Sequence, residues 1–169
     1  AVNVASQNVL INAKVGRVMT PERFAAWVQK EEWRRDQEMN EQISLQAYLD
    51  STEIEFTDYG DVKIHWITNE PTKPLETGQF VTVEYVAYSI QGQIFDDTRA
   101  ASNPLNFELG RPDQVLPGFN QAIRKMSRGD KAIVLIPSHL AFGERGATNG
   151  SVPPYTTVIY ELEVVGVSI

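Results

Sequence analysis

A chain of 169 residues, 42% hydrophobic and 22% charged, can bury about 70% of its unfolded surface and is too apolar to be globally disordered. Its net charge of −7 argues against a basic nucleic-acid footprint, and no apolar run approaches the roughly 20 residues that span a bilayer. The absence of cysteine excludes disulfides, thiolate metal sites, iron–sulfur clusters and a cysteine nucleophile together.

Residues 1–19 carry Val2, Val4, Val9, Leu10, Ile11, Val15 and Val18 without a steady period. Thr20-Pro21-Glu22 then reads as a helix start: a capping hydroxyl, a proline suited to the first helical position, and an acid at the positive end of the dipole. Phe24, Trp27 and Val28 follow at i, i+3 and i+4, and a charged stretch leads to Ile43, Leu45, Ala47, Tyr48 and Leu49. The spacing predicts one long helix, or two with a break, over about Pro21–Leu49. Its charged centre sustains no heptad, which argues against a long coiled coil.

Near Thr68–Gly78 the character changes to short strands between Gly/Pro turns. Ile54 with Phe56, and Val62, Ile64 and Trp66, alternate with polar residues as strands do. Val81, Val83, Tyr85 and Ala87 form the next face, ended by Gln91-Gly92, and Ile94-Phe95 begins another strand. Pro117-Gly118 opens a short helix with one buried stripe, Phe119, Ala122, Ile123 and Met126. Lys131–Pro137 and Thr156–Val167 are further strands, the last with Val158, Tyr160, Leu162 and Val164 on one face. Several strands around one short helix predict an α+β domain with a mainly antiparallel sheet.

Familiar catalytic signatures are missing. There is no phosphate-binding Gly-x-x-x-x-Gly-Lys, no dinucleotide Gly-x-Gly-x-x-Gly and no Gly-x-Ser-x-Gly elbow. His65 and His139 are the only histidines, both placed as surface residues, and Asp96-Asp97 reads as a turn pair rather than a metal site. Asn149-Gly150-Ser151 fits a glycosylation acceptor and signals an exposed loop. The second half instead collects aromatics beside turns: Tyr85, Phe95, Phe107, Phe119, Phe142 and Tyr160.

From Gly78 to Val165 the sequence resembles the FKBP-type peptidyl-prolyl cis–trans isomerases. Val81–Tyr85 is similar to the strand bearing the family's pocket tyrosine, and Gly92–Thr98 to its Gly-x-x-Phe-Asp-Ser-Ser stretch. Pro104–Gly110 is similar to Pro-Phe-x-Phe-x-Leu-Gly, and Val115–Phe119 to Val-Ile-x-Gly-Trp. Ala141-Phe142-Gly143 falls on Ala-Tyr-Gly, Val152-Pro153-Pro154 on Ile-Pro-Pro, and Val158–Leu162 on the closing strand. Each motif is weak alone, but seven in order with compatible spacing are specific.

The resemblance implies an FKBP-like twisted antiparallel half-barrel wrapped on one short helix, with Ile54–Ile67 supplying its first strand. It implies a pocket made by Tyr85, Phe95, Asp96, Phe107, Val115, Leu116, Phe119, Phe142 and Tyr160, with Phe119 as floor and Ala141–Tyr155 as a flap-like loop. It implies isomerase activity on X–Pro bonds of client proteins, no cofactor or metal, and binding of macrolides such as rapamycin. The alternative is a binding or chaperone module of the same fold with little turnover.

Departures from the pattern lie in the pocket. Phe119 stands where the floor is usually tryptophan, Phe142 where a tyrosine is usual, and Tyr160 where a phenylalanine is common. One extra residue lies around Arg111-Pro112-Asp113, and the basic residue often found near Ala101 is absent. The expectation is retained isomerase activity with weakened macrolide affinity, and a Tyr160 hydroxyl that meets Asp96 or a pocket water. The chain divides into an extension, 1–52, largely helical, and an isomerase domain, 53–169. The extension could pair two subunits into a homodimer, as in some bacterial members, or pack on its own domain. The start at Ala1 and the helical extension point to the bacterial cell envelope, with the cytoplasm also open.

Overall fold

The structure, a computed structural model, describes residues 19–69 and 73–169. The unassigned valine-rich stretch before residue 19 and the centre of the change near Thr68–Gly78 lie outside them. The chain divides into two compact units, Ala1–Asp36 and Gln37–Ile169. Helix α1 is a single run, Pro21–Ser51, without the break that the charged stretch allowed. Its start follows the capping logic: the Arg23 N–H donates to Thr20 Oγ1 at 3.4 Å and the Phe24 N–H to the Thr20 carbonyl at 2.9 Å. In the first unit Phe24 and Trp27 stack with ring centroids 5.9 Å apart, and both stay about half exposed.

The second unit holds the remainder of α1, a seven-stranded antiparallel sheet and one short α-helix. The strands are β1 (Thr57–Tyr59), β2 (Val62–Thr68), β3 (Phe80–Ser89), β4 (Ile94–Asp97), β5 (Leu105–Glu108), β6 (Lys131–Ile136) and β7 (Val158–Ser168). Their order is β1-β2-β6-β7-β3-β4, and β5 pairs with the first half of β3 while β4 pairs with its second half. The expected alternation holds on β3, where Val81, Val83, Tyr85 and Ala87 are buried. Helix α2 (Pro117–Ile123) buries Phe119, Ala122 and Ile123, and Met126 just beyond it continues the stripe. These side chains join Val62, Ile64, Val134 and Leu162 in one core between helix and sheet.

Two local expectations need correction. Ile54–Ile67 is not one strand but a short hairpin, β1 to β2, and Ile54 and Phe56 precede it. The Glu55 carbonyl accepts from His65 Nδ1 at 2.9 Å, so a side chain and not a neighbouring strand satisfies it. On β7 the buried face is wider than alternation predicts: Ile159 is fully buried, as is its β6 partner Leu135 at 1% exposure. Both lie on the sheet face opposite α2. There Tyr48 of α1 comes close enough to Glu161 for its phenol to be pushed up, first by burial and then by that negative charge.

Candidate active site

The site is built where β3, β7 and the start of α2 converge. Tyr85 on β3 pairs with Leu162 across the ladder, and Ala87 pairs with Tyr160, so the two phenols project from neighbouring strands to one face. The Phe119 ring, 2% exposed, stands beneath them, 5.7 Å from the Tyr85 centroid and 5.1 Å from that of Tyr160. Phe107 on β5 backs Phe119 at 5.9 Å, and Phe95 on β4 joins Phe142 at 5.6 Å and Tyr160 at 6.1 Å. All of these contacts are edge-on, the arrangement that aromatic quadrupoles favour.

Above this web lies an open, mainly apolar cleft of about 480 Å³. Of the nine residues implied by the sequence, Tyr85, Val115, Leu116, Phe119, Phe142 and Tyr160 line it. Phe95 and Phe107 stand behind that wall through ring contacts, and Asp96 is joined to it by Tyr85. The Tyr85 hydroxyl donates to Asp96 Oδ2 at 2.6 Å. Burial, then that hydrogen bond and the negative charge, push the Tyr85 phenol well above its usual range. Burial, with the charge of Asp96 second, does the same to Tyr160.

The expected bond from Tyr160 to Asp96 is not formed. Asp96 is engaged by Tyr85 at 2.6 Å, and no hydrogen bond joins Tyr160 to it among the described residues. The tyrosine on β3 is opposite β4, which carries Asp96, whereas β7 lies one strand further away.

Leu116 caps α2 in an extended conformation, φ −57° and ψ 142°, so its N–H is outside the helical ladder. Among the described residues nothing accepts from that N–H, which leaves a backbone donor at the edge of an apolar cleft. Sequence reasoning missed Leu105, Asp113, Gln114 and Pro117 as lining residues. Leu105 was findable, since it lies two residues before Phe107 on β5 and shares its face. Asp113 and Gln114 depend on loop geometry: Asp113 has φ +61°, and the Gln114 side chain accepts from the Glu108 N–H at 2.9 Å.

Among the described residues no group of three or more His, Asp or Glu could hold a metal ion. His139 is exposed, with Nε2 3.1 Å from Asp61 Oδ2, and His65 bonds the Glu55 carbonyl.

Residues 71–165 match the family of FKBP-type peptidyl-prolyl cis-trans isomerases. An FK506-binding protein of Streptomyces anulatus is 38% identical over 93 residues, which cover 54% of this chain and 74% of that protein. The outer membrane protein MIP of Legionella longbeachae is 36% identical over 87 residues, covering 52% of this chain and 36% of MIP. Among solved structures, FkpA from Escherichia coli superposes with a TM-score of 0.66 at 23% identity, over 86% of this chain and 66% of that one.

Proposed function

The chain belongs to the FKBP-type peptidyl-prolyl cis-trans isomerase family, and on that footing we propose that its aromatic cleft isomerises X–Pro bonds of client polypeptides by desolvation and twisting. The observation that carries this is the combination of an apolar ring-walled cleft with the Leu116 N–H, a backbone donor at its edge outside the helical ladder. The barrier to amide rotation is about 18–20 kcal/mol because resonance holds the group planar. That resonance separates charge, so water stabilises the planar ground state more than the twisted one. A cleft walled by Tyr85, Phe119, Phe142 and Tyr160 withdraws the water, and each ~1.4 kcal/mol removed from the barrier speeds the reaction tenfold.

The proline ring sits over Phe119, the Leu116 N–H receives a substrate carbonyl, and the Tyr85–Asp96 pair fixes the polar rim. Val115 and Phe142 close the sides, while Phe95, Phe107 and Tyr160 keep the ring wall rigid. No proton transfer is needed.

An isomerisation assay with a proline peptide tests the proposal. Turnover is expected to be flat between about pH 6 and 8, because the raised phenols of Tyr85 and Tyr160 stay protonated throughout. A bell-shaped profile in that window would overturn the mechanism, and no acceleration at all would leave a binding module. The same phenols fix the alkaline limit of the fold. Above about pH 10 the unfolded chain releases phenolic protons that the folded chain keeps, so stability falls as pH rises from there. Urea midpoints measured between pH 8 and 11 check that sign.

We propose that macrolides of the rapamycin type enter the same cleft with reduced affinity, because Phe142 offers no hydroxyl at the mouth. Phe142→Tyr is expected to tighten rapamycin by up to about tenfold, the worth of one neutral hydrogen bond. Unchanged affinity in a titration would show that residue 142 does not reach the ligand.

Residues 1–52 are proposed as an extension that pairs two subunits, and 53–169 as the isomerase domain. The exposed Phe24 and Trp27 support the pairing. A role in folding clients within the bacterial cell envelope is proposed from the likeness to a relative named an outer membrane protein. No helix among the described residues is long and apolar enough to cross a membrane.

A further inference from the structure

The connection from β6 to β7 carries Phe142 over the cleft. It leaves the sheet after Ile136 and returns at Val158, and these two residues pair with each other. The loop therefore departs and re-enters at adjacent points. Its first buried polar residue is Ser138, 4% exposed, and its last is Thr157, 1% exposed. Inside, it is tied to itself: the Ala147 N–H donates to the Val152 carbonyl at 2.8 Å and the Tyr155 N–H to the Gly143 carbonyl at 3.0 Å. Those bonds join the two arms of the loop to each other, so they persist only while its ends are held in register.

One carboxylate holds both ends. Glu41 Oε1 accepts from the Ser138 N–H at 2.7 Å and from the Thr157 hydroxyl at 2.8 Å, and Oε2 accepts from the Ser138 hydroxyl at 2.5 Å. Glu41 lies on the face of α1 whose half-buried positions recur as Gln37, Glu41, Ser44, Leu45 and Tyr48. A glutamate that served solubility alone would need no partners. This one satisfies three donors of two buried residues, with charge-assisted bonds of the stronger kind.

We propose that Glu41 is a positioning residue of the cleft: its carboxylate clamps both ends of the 138–157 loop and so fixes where Phe142 stands at the mouth. The proposal rests on the isomerase reading of the cleft. Phe119 and Tyr85 come from α2 and β3 and are not held by this clamp. Loosening it therefore weakens peptide binding at the mouth and leaves the chemical step on the floor intact.

Glu41→Ala removes all three acceptors. Glu41→Gln keeps one oxygen for the Ser138 N–H and the Thr157 hydroxyl, and offers an amide donor to Ser138 Oγ. In the full chain, amide hydrogen exchange at Ala147 and Tyr155 is expected to speed up by roughly tenfold in Glu41→Ala, with β3 unchanged and Glu41→Gln close to wild type. KM for a proline peptide rises several-fold, kcat stays within about twofold, and Glu41→Gln restores KM. Thr157→Val, which removes one bond of the three, shifts Tyr155 in the same direction by less and covers the case of a Glu41→Ala chain that does not fold. Wild-type exchange in the loop of both variants would overturn the clamp. A loosened loop with wild-type KM would overturn its part in the cleft. An inactive wild-type chain would instead overturn the isomerase reading, and the exchange comparison would still decide the clamp.

Discussion

Phe119→Ala is expected to lower stability by about 3–5 kcal/mol, the usual cost of deleting a buried aromatic ring, and to abolish most isomerase turnover. Both effects come from one location. The ring is 2% exposed, so its removal leaves a cavity that the core must keep or collapse. It also touches Tyr85, Phe107 and Tyr160 at centroid distances of 5.7, 5.9 and 5.1 Å, so three rings lose a partner at once. A cavity opening on the cleft admits water, which restores the solvation that the proposed mechanism removes. Urea denaturation of the variant, run beside Phe119→Leu, separates the two effects: leucine fills most of the space and recovers stability, but offers no flat ring face to a proline. A wild-type urea midpoint in Phe119→Ala would show that the ring is not a core element, and the floor assignment would fall with it.

The floor was readable from sequence because two periodic signals converge there. Phe119 belongs to a stripe with Ala122, Ile123 and Met126 that only a helix can align, and Tyr85 belongs to an alternating face that only a strand can align. The structure buries both sets. Two details escaped for the opposite reason, since nothing periodic marks them. Glu41 sits in a helix dominated by charge, where a glutamate reads as a solvated residue. Its partners Ser138 and Thr157 are brought to it only by the pairing of β6 with β7. Ile159 escaped because alternation assigns it to the outer face, and no local signal says that this face is covered as well. Of the two partners expected for the Tyr160 hydroxyl, Asp96 or a pocket water, Asp96 is taken by Tyr85, which the strand order places next to it.

Gly146→Ala is expected to open the loop over the cleft, and a second glycine in the same loop supplies its control. Gly146 has φ +70° and ψ −170°, a region essentially confined to glycine, where an added side chain costs about 1–3 kcal/mol. The Cβ would also stand 2.3 Å from the Val152 carbonyl oxygen, 2.8 Å from the Pro153 carbonyl carbon and 2.9 Å from the Pro154 nitrogen. These are backbone atoms with no rotamer to yield, so the two arms of the loop must separate, at a further cost of about 1–3 kcal/mol on the scale of overpacked interiors. The bond they share, from the Ala147 N–H to the Val152 carbonyl at 2.8 Å, is the first to be lost. Gly150 has φ +76° with nothing within 4 Å of its added Cβ, so Gly150→Ala carries a positive-φ cost without the overlap. Thermal melts of the two variants should therefore differ, with Gly146→Ala the lower. Rapamycin titration should show weakened binding in Gly146→Ala and near-wild-type binding in Gly150→Ala, because only the first displaces the arm that leads to Phe142. Equal melting temperatures and equal affinities would mean that the loop arms are not in contact at Gly146, and that the mouth of the cleft is shaped by something other than this doubled-back loop.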